Sequence, residues 1–136
     1  FRTVEINYSF YRMPTEKIVE GWSRATPAGF RFTLKAPRRI THEARLRDCG
    51  ELVAQFHETA AVLGPKLGAL LFQLPPSLRK DLPRLRDFLA VVPGGLRFAL
   101  EFRHASWHDD EVYAERVTAL GRLIAIHPGA DAWISG

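Results

Sequence analysis

The chain has 136 residues, 46% hydrophobic and 25% charged, which suits a single folded domain with a buried core and is unlike a disordered chain. Its net charge of +4 is scattered over predicted helix faces, which favours a solvated surface over a nucleic-acid footprint. No run approaches the ~20 apolar residues of a membrane span, no signal-peptide pattern opens the chain, and the lone Cys49 cannot close an internal disulfide, so a cytoplasmic, reducing location is expected.

Taken in chain order, "TVEIN" (3–7) is the first predicted strand, followed by a helix in "TEKIVEGWSRA" with Ile18, Val19 and Trp22 on one face. A second strand, "FRFTLKA" (30–36), leads into the helical pattern "RLRDCGELVAQFHETAAVLG". There Leu46, Leu52, Val53, Phe56, Ala60 and Leu63 share a stripe, and Gly64-Pro65 stops it. The third strand is "LGALLFQL" (67–74). The next helix, "LRKDLPRLRDFLAVV", presents Leu82, Leu85, Phe88 and Leu89 and ends at Pro93-Gly94-Gly95. "LRFALEF" (96–102) is the fourth strand, "DDEVYAERVTAL" a further helix, and "RLIAIH" (122–127) the fifth strand. Strands alternating with helices predict parallel strands joined by right-handed crossovers.

Side chains two apart share a strand face. One face is apolar throughout: Val4 and Ile6; Phe30, Phe32 and Leu34; Leu70, Phe72 and Leu74; Phe98, Leu100 and Phe102; Ile124 and Ile126. The other turns polar toward the strand ends, with Glu5 and Asn7, Thr33 and Lys35, Gln73, Glu101 and Arg103, and His127. A doubly wound sheet should be apolar on both faces. A parallel (β/α) TIM-type barrel packs its outer face on helices and gathers polar residues at the C-terminal mouth. The expectation is therefore a partial barrel of about five strands and four helices. A whole barrel takes ~250 residues, so residues 1–136 read as one domain, a fragment lacking a first strand and the C-terminal strands, prone to self-association if the barrel is incomplete.

The candidate chemistry lies at that mouth. Glu101 and Arg103 share a face, so an ion pair between them is geometrically easy, and charges buried there must be paired or solvated. Arg103 is the expected fork for a phosphate or carboxylate, with Glu101 and His104 as the acid/base candidates; the alternative is a structural salt bridge. Glu5, Asn7 and Lys35 are expected in one layer on adjacent strands, Lys35 as an electrostatic clamp or base. Gln73 points inward to hydrogen-bond a ligand, while Pro75-Pro76 forms a rigid exit. Tyr11 and Trp107 are candidates to stack on a ring or to cap the mouth, and Arg12 adds charge beside Tyr11. In "KAPRRITH", Thr41 reads as the next helix's N-cap, leaving His42 as a ligand candidate. His57-Glu58 lacks the second histidine of a zinc-protease helix. His104 and His108 make a weak metal pair across a loop with Ser106 as a cap. No metal or cofactor is specified, and whether the protein is an enzyme stays open. The favoured partner is a small anionic ligand. The alternative is nucleic acid, bound by Arg12, Lys35, Arg38 and Arg39 with Tyr11 and Trp107 stacking.

Four stretches, "TVEINYSFYRMP", "W...TPAGFRFTLKAPRRITH", "LGALLFQLPPS" and "RFALEFRHASW", occur in an order and spacing that resemble the YecE-like family, domain of unknown function 72. The resemblance covers about residues 1–112. It implies a TIM-type barrel and supplies no established activity. An earlier Gly-Ser/Thr-Gly-Trp strand and a later Arg-x-His-Gly-like motif, usual in relatives, are absent here.

Overall fold

A computed structural model describes residues 3–108, 110–112, 123–126 and 134–135. Strands β1 (Thr3–Ile6), β2 (Arg31–Lys35), β3 (Leu67–Gln73), β4 (Phe98–Glu101) and β5 (Leu123–Ile126) fall inside the five predicted runs. A short β6 (Ile134–Ser135) lies where the sequence suggested no element. All belong to one sheet in the order β1-β2-β3-β4-β5-β6, parallel from β1 to β5 and antiparallel between β5 and β6. Helices α1 (Tyr8–Tyr11), α2 (Glu16–Arg24), α3 (Gly50–Ala61) and α4 (Leu82–Val91) occupy the connections. The predicted helix after Trp107 is helical over its described residues, 110–112, and its Tyr113, Val117 and Leu120 lie outside the described residues, as does His127.

The sheet is open, with β1 and β6 at its ends. The fold is α/β with a parallel sheet, as expected, and the described strands do not close into a barrel. The strand order still carries information, because a doubly wound sheet reverses direction at a switch point and this one runs in chain order without reversal. Same-handed crossovers then lay the crossover helices α2, α3 and α4 on one face. The core agrees: Phe32, Leu34, Leu70, Phe72, Leu74, Phe98, Leu100 and Phe102 from the strands pack with Val19, Val53, Phe56, Ala60, Leu85 and Phe88 from the helices. Leu71 and Ala99, on the opposite face, are buried but stand outside that cluster. Phe72 is the hub, with ring centres 5.0 Å from Phe88, 6.2 Å from Phe98 and 6.5 Å from Phe56, all edge-on.

Local chemistry sets the element boundaries. Thr15 caps α2 by accepting the Ile18 N–H at 3.2 Å, and Asp81 caps α4 through the Arg84 N–H at 3.1 Å, each satisfying an orphan donor. That cap starts α4 four residues into the predicted segment, at Leu82, the first residue of its apolar stripe. The predicted helix from Arg45 starts only at Gly50, because Arg45, Leu46 and Asp48 adopt left-handed backbone (φ 52°, 67° and 47°). Such conformations cost about 1–3 kcal/mol each outside glycine, and here they turn the chain so that Leu46 is buried in the core. Cys49, directly before α3, is buried packing, its thiol pushed up by burial and then by the Asp48 charge. Between β2 and β3 the register shifts at Phe32/Thr33. Gly68 is the extra residue, and a Cβ there would stand 3.1 Å from the Phe32 carbonyl oxygen, as expected of a bulge where backbones approach closely.

Candidate functional site

The helix-free face of the sheet is arranged in layers. Glu5 pairs in register with Thr33, and Thr33 with Ala69. One layer higher, Lys35, Leu71 and Ala99 are neighbours; higher again, Gln73 faces Glu101. Each layer adds two residues, about 6–7 Å of rise. Glu5 and Lys35 are thus in successive layers rather than the shared one expected from sequence. The lower layers mix Glu5 and Lys35 with Thr33, Ala69, Leu71 and Ala99.

At the top layer the Gln73 amide donates to Glu101 Oε2 at 3.2 Å, and Arg103 Nε donates to Glu101 Oε1 at 3.3 Å. Both carboxylate oxygens are engaged, which satisfies a side chain only 17% exposed and answers the cost of burying it. Arg103 is 39% exposed. The ion pair read from the strand face is present.

Around the end of β2 a second group forms. Ser9, fully buried on α1, donates its hydroxyl to the Lys35 carbonyl at 2.6 Å and to the Ile6 carbonyl at 3.3 Å, tying β1 to β2. That places Phe10 against the rim. Lys35 Nζ sits 4.7 Å from the Phe10 ring centre, a cation–π distance, and the His42 ring meets the same Phe10 edge-on at 5.0 Å. Thr41, which sequence suggested as an N-cap, lies inside a π-helical turn, Arg39–Glu43, fully buried, with its hydroxyl 2.8 Å from His42 Nδ1. Burial first, then the charges of Arg38, Lys35, Arg103 and Arg45, hold His42 below the usual imidazole range. Arg103, beyond the end of β4, is among those charges. Arg45 is anchored by donating to the Ser77 hydroxyl at 3.0 Å and its carbonyl at 3.3 Å.

Other sequence candidates stand apart. Glu5 and Asn7 are exposed near β1. Tyr11 is 77% exposed, edge-on to Phe10, beside an exposed Arg12. Trp107 is fully buried, stacked on Phe102 at 4.8 Å, its indole N–H donated to the Leu78 carbonyl at 2.8 Å. It closes the core beneath the mouth and offers no ring face to a ligand. His104 caps the 3₁₀ turn Ala105–Trp107: its Nδ1 accepts the Ser106 N–H at 3.1 Å and lies 2.8 Å from the Ser106 hydroxyl. The cap expected at Ser106 belongs to His104; the Ser106 oxygen instead accepts the Lys80 N–H at 2.7 Å. Phe10 and Arg45 were missed. The "FYR" stretch gave a signal for the first, and nothing local marked the second.

A cleft of about 510 Å³ opens on the helix side instead, between the starts of α3 and α4, where Arg47 and Arg84 mix with Asp48, Asp81 and Asp87. Arg84 Nε lies 3.4 Å from Asp81 Oδ2 without hydrogen-bond alignment. Its mixed charge singles out no ligand. Among the described residues no group of three or more His, Cys, Asp or Glu could hold a metal ion, and no helix is long and apolar enough to cross a membrane.

Together these features define an α/β protein with a singly wound parallel sheet and a cationic rim where its strands end. The family model "Protein of unknown function DUF72" matches residues 1–132, and the chain belongs to that family. It is 37% identical over 105 residues to the UPF0759 protein YecE of Escherichia coli strain K12, covering 76% of this chain and 39% of YecE. With YunF of Bacillus subtilis, also a UPF0759 protein, identity is 28% over 143 residues, covering 96% of this chain and 49% of YunF. A DUF72 family crystal structure from Thermotoga maritima superimposes with a TM-score of 0.78 at 26% identity, covering 98% of this chain and 54% of that one. One from Enterococcus faecalis gives 0.74 at 23%, covering 91% and 49%. The chain thus spans half or less of the length of these curated relatives.

Proposed function

We propose that the strand ends form the mouth of a small-molecule site that takes an anionic ligand bearing phosphate or carboxylate. The observation that carries this reading is the placing of Lys35 over the Phe10 ring at 4.7 Å, with His42 against the same ring at 5.0 Å, at the end of β2, and of Arg103 beside Glu101 at 3.3 Å beyond β4. A cluster of like charges is costly to assemble and is relieved by a bound anion. Arg103 supplies the fork, Lys35 the point charge above Phe10, and Gln73 a polar contact. Glu101 is the acid/base candidate if the site performs chemistry. His104 is a weaker one, since its Nδ1 is occupied by capping.

In this reading the sheet is an arc of a (β/α) barrel, consistent with its unreversed strand order and with relatives about twice as long. The nucleic-acid alternative needs Tyr11 and Trp107 as stacking platforms, and the burial of Trp107 weighs against it.

The test is a thermal-stability screen of the full-length protein with phosphate, phosphate monoesters and small carboxylates, each repeated on Arg103→Ala. A ligand at 100 times its Kd adds about 2.7 kcal/mol. Phosphate also stabilises by surface exclusion, so the informative quantity is the part lost with Arg103. If no anion stabilises the protein more than the variant, the reading fails.

A further inference from the structure

We propose that the ligand of the mouth carries a hydroxyl beside its anionic group, as in a 2-hydroxy acid or the phosphate ester of a polyol, and that Gln73 and Glu101 recognise that hydroxyl. This rests on the anion-site reading above and deepens it, by naming the group that must adjoin the charge.

Three side chains are held together by direct contacts. Gln73 and Glu101 are register partners at the ends of β3 and β4. Gln73 Nε2 lies 3.2 Å from Glu101 Oε2, and Arg103 Nε lies 3.3 Å from Glu101 Oε1. The chemistry fixes which way the Gln73 amide points, because its oxygen cannot face a carboxylate. The remaining donors and acceptors can then be counted. Each Glu101 oxygen has used one lone pair and keeps another. Gln73 keeps its second amide hydrogen and its oxygen, and Arg103 keeps the hydrogens of its two terminal nitrogens. No further hydrogen bond occupies these groups among the described residues. Both charged side chains are in part exposed, so a ligand can reach them.

The carboxylate decides what binds. An anion forked by Arg103 arrives close to Glu101, where a second negative charge is repelled. A bare phosphate or carboxylate therefore meets opposed effects, attraction to the guanidinium and repulsion by its partner. Whatever adjoins the anion and faces Glu101 has to be a hydrogen-bond donor. A hydroxyl meets this need and one more, because it donates to Glu101 Oε2 and accepts the second Nε2 hydrogen of Gln73. An ammonium satisfies Glu101 but has no lone pair for the amide N–H, which is left unpaired. The adjacent carboxylate and amide are thus complementary to a group that is donor and acceptor at once. A site built this way rejects the analogue lacking the hydroxyl, since its own polar groups then lose their partner.

Matched pairs read the hydroxyl alone: glycolate against acetate, and glycerol phosphate against propyl phosphate, by calorimetry on the full-length protein. We expect the hydroxylated member to bind roughly ten- to hundredfold more tightly, the range of a hydrogen bond to a charged group. The pair with the larger gap tells a hydroxy acid from a polyol phosphate. Glycine, with an ammonium in the same place, should bind less tightly than glycolate. Gln73→Met should narrow the gap and leave the bare anions as they were. Glu101→Gln should raise the affinity for acetate and propyl phosphate, as repulsion is lifted, and narrow the gap to their hydroxylated partners. A merely structural Glu101 would lower all four affinities together. Should the variants fold poorly, the matched pairs on the native protein decide alone. Equal affinity within both pairs, or tighter binding of glycine than of glycolate, overturns this inference and leaves the anion site standing. If none of these anions binds, both readings fall.

Discussion

Replacing Arg103 with alanine separates a structural plug from a ligand contact, because the structure bounds both effects. Arg103 Nε meets Glu101 Oε1 at 3.3 Å, with side chains 39% and 17% exposed. A pair that solvated is screened and contributes at most about 1 kcal/mol. Glu101 would keep its Gln73 partner at 3.2 Å, so the substitution does not strand the carboxylate. The melting temperature should fall by about 4 °C or less. A charge-assisted hydrogen bond to an anion contributes about 1.5–3 kcal/mol, so phosphate affinity should drop roughly ten- to hundredfold. Arg103→Lys, keeping the charge without the fork, should fall between. Urea denaturation and calorimetry on the same preparations read the two quantities. A stability loss above about 3 kcal/mol with undiminished phosphate binding would refute the reasoning and make the pair a structural plug.

Two further predictions concern the frame that holds the rim. Phe72→Ala removes the ring on which Phe56, Phe88 and Phe98 converge; it should cost about 3–5 kcal/mol in chemical denaturation, and a loss under about 1 kcal/mol would mean the hub is wrongly located. Lys66 Nζ donates to the carbonyls of Ser23 and Thr26 at 2.6 and 2.7 Å and lies 3.2 Å from the Thr26 hydroxyl, closing the C-terminal end of α2. Lys66→Met should lose about 1.5–3 kcal/mol without changing phosphate affinity, which a parallel binding assay checks.

The strands were legible because their alternation is strict. Phe32 and Leu34 on β2, or Phe98 and Leu100 on β4, fix which face is buried, and the opposite face then names Lys35, Gln73 and Glu101. The start of α3 was less legible, because left-handed backbone at Arg45, Leu46 and Asp48 leaves no trace in an apolar period. Trp107 illustrates a limit of another kind. Its place just after a strand suggests a binding loop, yet a single turn of 3₁₀ helix swings it into the core. In "FYR", the four-residue α1 turns Phe10 toward Lys35 and His42 and leaves Tyr11 in solvent. Sheet closure was not legible either: the face pattern establishes which side the helices cover, and the described strands form an open sheet.

The most direct measurement is an amide and side-chain NMR titration of the full-length protein with inorganic phosphate at constant ionic strength. Saturable shifts should gather at Lys35, His42, Gln73 and Arg103, with the Arg47–Arg84 cleft silent. Shifts centred on that cleft, or spread without saturation over the surface arginines, would contradict the claim that the strand ends form a single anion-binding mouth.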